Sequence, residues 1–220
     1  MNEYIVPDYN RAALVTIDVQ CDCTLPGAPL EIPGTIDLVP KMQSLVRAFR
    51  AYGKPIIHIV RLYLSDGSNA DNCRRSSIEL GKQILVPGTD GAELMEELKP
   101  SPEIKLDSTR LLGGELQTIG AMEWIGYKPR WGAFFRTPLE AHLHSLGINT
   151  IVLCGCNFPN CPRTTIYEAS ERDFKIVLVI DAVSKTYKRG LEELDNIGVC
   201  LVKTGEFLAD LSNYQLPIVH

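Results

Sequence analysis

The sequence predicts a three-layer α/β/α domain built on a mainly parallel sheet. Three observations carry this. Several apolar runs, among them ALVTIDV (13–19), NTIVLCG (149–155) and FKIVLVIDA (174–182), are short and nearly continuous, as strands buried on both faces are. These runs alternate with segments whose apolar residues have helical spacing. The chain has 220 residues, 45% of them hydrophobic and 22% charged, which suits one soluble domain over 1–220.

Each element follows from its residues. After the first strand, residues 37–52 place Leu38, Val39, Met42, Leu45, Val46 and Phe49 on one helical face, and Gly53 ends that helix. KPIIHIVRLY (54–63) is the second strand, GAELMEEL (91–98) a short helix and EWIGYK (123–128) the third strand. TPLEAHLHSLG (137–147) is a helix closed by Gly147. The fourth strand is 149–155, followed by a helix from Cys161 to Asp173 and the fifth strand at 174–182. RGLEELDNIG (189–198) is a helix, and VCLVKT (199–204) the sixth strand. The stretch 64–122 is long for a connection and is expected to form a lid or an oligomer contact.

Composition excludes several classes. A net charge of −5 and the absence of any basic run argue against nucleic-acid binding. No apolar run approaches the roughly 18 residues of a membrane span, and MNEYIVPDYNR has no signal-peptide pattern. Seven cysteines, an odd number in a chain that needs no staples, read as reduced thiols in a cytosol.

In open α/β sheets, ligands bind beyond the carboxyl ends of the strands. Asp18 closes the first strand, Lys128 closes the third and Cys161 follows the fourth. Singly, each has an ordinary reading as a cap, a surface charge or a small packing group. Together, on one sheet edge, they suggest a nucleophilic site. A helix N-terminus offers unpaired N–H groups and partial positive charge, which favour a thiolate and lower its pKa. The N–H groups of Asn157 and Cys161 can hold an oxyanion. Asp18 can move the thiol proton, and Lys128 can stabilise the anions. In CNFPNCPR, Pro162 at the first helical position gives up an N–H that has no intrahelical partner, and Pro159 stiffens the turn. Arg61, Arg130 and Arg163 are candidates to hold a substrate carboxylate, and Trp131, Phe134 and Phe158 to wall a pocket, although Phe134 reads more readily as core.

Asp18 in TIDVQ, Lys128 in YKPRWGAFFRTPL and Cys161 in CGCNFPNCPRTTIYEASERDFKIVLVIDA resemble the Asp–Lys–Cys triad of the isochorismatase-like cysteine hydrolases. The similarity runs from about residue 11 to about residue 205. The resemblance implies a six-stranded parallel sheet ordered 3-2-1-4-5-6, a non-proline cis peptide at Cys156–Asn157, and homodimers or homotetramers. It also implies cleavage of a C–N bond in a small amide, carbamoyl or ureido compound. Members that hydrolyse the vinyl ether of isochorismate tend to lack the cysteine, so Cys161 favours amide chemistry over that alternative.

Some positions depart from the family pattern. The metal-binding members use an Asp-x-His and a second His after the second strand. Here that region reads IIHIVRLYLSDGSNAD, with His58 inside the strand; His142 and His144 are two apart on a helix, and His220 is terminal. We therefore expect no metal, no other cofactor and no nicotinamidase activity. Phe158-Pro159-Asn160 ahead of the cysteine and Pro162 after it are also unusual for the family. Three competing readings remain at this level: a thiol metal site using Cys154, Cys156 and Cys161 with Cys21 and Cys23, whose spacing matches no standard zinc pattern; a redox thiol pairing Cys156 with Cys161; and a catalytically idle or binding-only relative, against which the complete triad speaks.

Overall fold

The structure is a computed structural model that describes residues 2–214; His220 lies outside the described residues. Seven strands form one sheet in the order β3-β4-β2-β1-β5-β6-β7. They are β1 (Ala12–Ile17), β2 (Ile56–Val60), β3 (Gln117–Gly120), β4 (Glu123–Tyr127), β5 (Thr150–Gly155), β6 (Lys175–Val183) and β7 (Cys200–Val202). The six expected strands lie parallel and in the expected order. The sheet has seven strands rather than six because Gln117–Gly120 folds back antiparallel on β4 at the edge, with an irregular register between Thr118 and Gly120. Every residue of β1, β2 and β5 is buried, which is why these strands read as unbroken apolar runs.

The helices are α1 (Cys21–Thr24), α2 (Val39–Ala51), α3 (Asn72–Glu79), α4 (Ser108–Leu112), α5 (Leu139–Ser145), α6 (Cys161–Ser170), α7 (Lys188–Asp195) and α8 (Thr204–Tyr214). α2 buries Val39, Met42, Leu45, Val46 and Phe49, the stripe its spacing predicts. α8, not anticipated from the sequence, packs beside α2: the Phe207 ring stacks on Phe49 at 6.0 Å and meets Tyr9 edge-on at 5.4 Å. α6 packs against β5 and β6, so helices and sheet form α/β/α layers. No helix among the described residues is long and apolar enough to cross a membrane.

The stretch 91–98 is not a helix. Two single 3-10 turns, Asp90–Ala92 and Glu96–Leu98, flank a segment held extended against the chain that leaves β1. Cys21 donates to Glu93 O at 2.9 Å, and Met95 donates to Val19 O at 3.0 Å. Those long-range bonds outweigh the helical spacing of GAELMEEL. The rest of 64–122 is structured too. Residues from Ala70 to Leu85 pack with Cys23, Tyr63 and Cys156 in a small apolar cluster of their own, at the carboxyl edge of the sheet. Asp22 Oδ2 fastens that segment by accepting the Leu85 N–H at 2.6 Å.

Candidate active site

Neighbours of β1 run to β2 on one side and to β5 on the other, so the β1–β5 boundary is the topological switch point where such sheets open a crevice. Asp18 is the first residue past β1. Its φ of 52° lies in the left-handed region, which aspartate tolerates better than most side chains. Its N–H still extends the ladder to Ile59 O at 2.9 Å. Gln20, fully buried, pins the ends of the two strands together: its amide donates to Arg61 O at 2.9 Å and accepts from Arg61 N at 2.8 Å.

The turn after β5 is equally constrained. Gly155 has φ 123°, and a Cβ there would sit 2.2 Å from Ile17 O, so no other residue fits between the strands. Cys156 then ties the turn to β1, its N–H donating to Ile17 O and its Sγ to Asp18 O, both at 2.9 Å. The Cys156–Asn157 peptide is cis. Cys161 opens α6, and Pro162 is the second rather than the first residue of that helix, a position whose N–H also lacks an intrahelical partner. The N–H groups of Asn157 and Cys161 donate to no acceptor among the described residues.

Lys128 follows β4, two strands from Asp18. Its N–H donates to Val60 O at 3.0 Å, and its side chain crosses the end of β2. There Nζ lies 2.9 Å from Asp18 Oδ2, 3.3 Å from Cys161 Sγ and 3.3 Å from Arg130 O. The loop carrying it is docked on α6: Thr165 Oγ1 accepts from Ala133 N at 3.1 Å, and Glu168 Oε2 accepts from Phe134 N at 2.9 Å.

All three side chains are nearly dry, with exposures of 6% for Asp18, 1% for Lys128 and 7% for Cys161. Their charge states follow. Burial alone would discharge Lys128, but the Asp18 carboxylate, with help from Cys161, holds it well above the ordinary lysine range. Burial, and then the Asp18 carboxylate, push the Cys161 thiol up to about 12, and Lys128 offsets only part of this. Burial and the carboxylate thus raise the thiol pKa, against the lowering that a helix N-terminus alone suggests. Alkylation checks this. Iodoacetamide should modify Cys161 slowly, with a rate still climbing between about pH 6 and about pH 9, while exposed Cys73 reacts first. A plateau in the Cys161 rate near neutrality, read by peptide mass mapping, would contradict it.

A cavity of about 80 Å³ opens over these groups. Trp131, Arg61 and Arg130 line it, as anticipated, and so do Tyr63, Asp71 and Arg74, which the sequence did not single out. Phe134, of the two readings it had, is core, packed on Phe174 at 5.6 Å. Two expectations fail. Phe158 is fully buried beneath the turn, edge-on to Tyr187 at 5.4 Å and touching the space over Gly190. Arg163 turns away from the cavity to Glu193, Tyr167 and Tyr187, because its place on α6 faces α7. Arg61 lines the cavity, but its terminal nitrogens are engaged by Leu62 O, Tyr127 and Asn69 O. Asp71 sits in a polar loop and Arg74 on the polar helix α3: no periodicity aims such residues, and only the fold brings them over the site.

The other cysteines and histidines have defined places. Cys23 and Cys156 share the cavity wall, and the neighbouring Cys23 thiol, and then burial, raise the Cys156 pKa. Burial pushes the Cys154 thiol up to about 12. His58 is committed on both ring nitrogens, to Thr16 at 2.8 Å and to Glu123 at 2.7 Å. Burial lowers its pKa, although Glu123 opposes the shift. Glu123 in turn is held by Arg50 through two bonds at 2.7 and 2.8 Å. Among the described residues, no three His, Cys, Asp or Glu side chains are grouped to hold a metal ion.

The chain is similar to known proteins over nearly its whole length. It is 29% identical over 199 residues to a protein of Arabidopsis thaliana described as a probable inactive nicotinamidase, covering 87% of this chain and 91% of that one. It is 25% identical over 220 residues to the ureidoacrylate amidohydrolase of Methylobacterium radiotolerans, covering 92% and 77%. The crystal structure of an isochorismatase family protein from Desulfovibrio vulgaris superposes with a TM-score of 0.76 at 30% identity, covering 92% of this chain and 98% of that one. The model of the isochorismatase domain matches residues 12–196, and this chain, with its Asp18, Lys128 and Cys161 gathered at one sheet edge, belongs to the isochorismatase family.

Proposed function

We propose that the protein is a cysteine hydrolase that cleaves the C–N bond of a small amide, carbamoyl or ureido compound through a thioester on Cys161. One observation carries the reading: Lys128 Nζ sits 2.9 Å from Asp18 and 3.3 Å from Cys161 Sγ inside a small, nearly dry cavity. The activity named for the ureidoacrylate amidohydrolase relative is of this class.

The residues perform the reaction in two halves. Asp18, whose Oδ1 is buried and accepts no hydrogen bond among the described residues, takes the thiol proton as sulfur attacks the carbonyl carbon. A C–S bond forms, and the N–H groups of Asn157 and Cys161 receive the oxyanion. Asp18 then passes the proton to nitrogen, the C–N bond breaks and the amine or ammonia leaves. Water next attacks the thioester with Asp18 again as base; the C–O bond forms, the C–S bond breaks, and the proton returns to sulfur. Lys128 remains charged throughout. It stabilises first the Asp18 carboxylate and then the developing thiolate.

Ammonia release from a panel of small primary amides, carbamoyl amino acids and ureides tests the reading. With a turned-over compound, rapid acid quench and mass mapping should find the acyl group on Cys161 alone. An acyl adduct on another residue, or turnover without any adduct, would refute the thioester route.

A further inference from the structure

The apolar side of the cavity hangs from one short helix. α1 begins three residues after Asp18. Its backbone holds one stretch of wall: Asp22 O accepts from Leu30 N at 3.2 Å, and Cys23 O accepts from Ile32 N at 2.9 Å. Its side chain holds another: Asp22 Oδ2 accepts from Leu85 N at 2.6 Å. Leu30, Ile32 and Leu85 all line the cavity over Cys161.

Leu85 sits on a strap. Residues 81–83 and 88–90 are exposed, and between them Ile84 and Leu85 dip into the small apolar cluster. Gly81 and Gly88 both have positive φ, which lets the chain turn in and out. Leu85 itself has a φ of 48°, in the left-handed region, where a leucine is strained. Such a conformation persists only where its surroundings compel it. Two hydrogen bonds do so: Asp22 grips the Leu85 N–H, and Tyr63 N donates to the Leu85 carbonyl oxygen at 3.0 Å. The Asp22 carboxylate is wedged in turn, for it is buried, and a Cβ on Gly91 would lie 2.2 Å from its Oδ1. Meanwhile Asp18, Lys128 and Cys161 are almost completely covered, so a small molecule reaches the thiol by displacing part of the wall. The strap is the strained part of that wall.

We propose that Asp22 is a positioning residue that latches the strap: Leu85 closes the cavity over Cys161, and swings away when the hydrogen bond to Asp22 breaks. Release relieves the strain at Leu85, which favours the open strap. The proposal deepens the hydrolase reading, since the same motion would admit a substrate and close over it, but its test needs only the thiol.

The rate at which iodoacetamide modifies Cys161, read by peptide mass mapping at one pH, reports the latch. Asp22→Ala should speed it about 10-fold, the usual effect of losing one charge-assisted hydrogen bond. Gly91→Ala keeps the carboxylate but drives it off Leu85, and should act in the same way. Asp22→Asn removes the charge yet keeps an oxygen for the Leu85 N–H, and should stay within roughly threefold of the unmodified protein. An electrostatic effect on the thiol would instead speed Asp22→Asn as much as Asp22→Ala. Amide hydrogen exchange should quicken over residues 82–87 in both alanine variants and stay unchanged in β1 and β5. If either alanine variant leaves the Cys161 rate within roughly threefold, or if Asp22→Asn matches Asp22→Ala, the proposal is wrong. Should Asp22→Ala fail to fold, Gly91→Ala against Asp22→Asn decides alone. Failure of the hydrolase reading would show separately, as absent ammonia release by the unmodified protein.

Discussion

Cys161→Ala will eliminate turnover, with a loss of roughly 10⁴-fold or more, and leave the protein folded. The two halves of this expectation come from different facts. Lys128 Nζ lies 3.3 Å from this sulfur and 2.9 Å from Asp18, so its removal takes away the atom proposed to form the acyl intermediate. Structurally little depends on it. Lys128 keeps its ion pair with Asp18 at 2.9 Å and its bond to Arg130 O. Thr165 still caps the backbone carbonyl of residue 161 at 2.8 Å. Deleting one buried sulfur at the floor of a cavity costs about 1 kcal/mol, a shift of a few degrees in melting temperature. Ammonia release and thermal unfolding measured on the same preparation decide it. Turnover within tenfold of the unmodified protein would remove Cys161 from the mechanism. Loss of activity together with loss of the folding transition would leave the Cys161→Ser variant, whose hydroxyl preserves the shape, as the deciding comparison.

The fold was legible where burial dictates composition. β1, β2, β5 and β6 lie in the middle of the sheet, and their residues must be apolar on both faces, so the runs announced themselves. Edge elements obey weaker rules. Gln117–Gly120 is a half-exposed strand containing glycine, and nothing in its residues distinguishes it from a loop. Asp18, Lys128 and Cys161 could be placed together because a parallel sheet puts all strand ends on one edge, and the resemblance to a known family supplied their pairing. The geometry then added opposing contributions to the chemistry. A helix N-terminus argues for a thiolate, whereas burial and the adjacent carboxylate push the Cys161 pKa the other way. Arg163 and Phe158 were near the nucleophile in sequence and point elsewhere, since adjacent residues of a helix or turn face different directions. Arg74 was invisible for the converse reason: α3 is polar nearly all round, and only the fold sets this one of its several charges by Trp131 in the cavity wall.

Asp18→Asn will separate the two duties of the carboxylate, with opposite effects on two measurements. In the native site Asp18 holds the thiol pKa up, second only to burial, while Lys128 lowers it. Neutralising residue 18 removes the raising charge and leaves Lys128 with Cys161 as its remaining anionic partner. With that raising charge gone the thiol pKa should fall, and iodoacetamide at neutral pH should modify Cys161 faster than in the unmodified protein. Turnover should nevertheless drop by roughly 10³-fold, because an amide cannot take a proton from asparagine, and an unprotonated amine is a poor leaving group. A more nucleophilic sulfur and a slower enzyme in the same variant is a combination that simple misfolding cannot produce, since a disordered site would not select one thiol. If alkylation slows along with turnover, Asp18 activates the sulfur in the ground state, and the resting site is a thiolate after all. If turnover persists, the proton reaches nitrogen by another route, and Asp18 is a structural partner for Lys128.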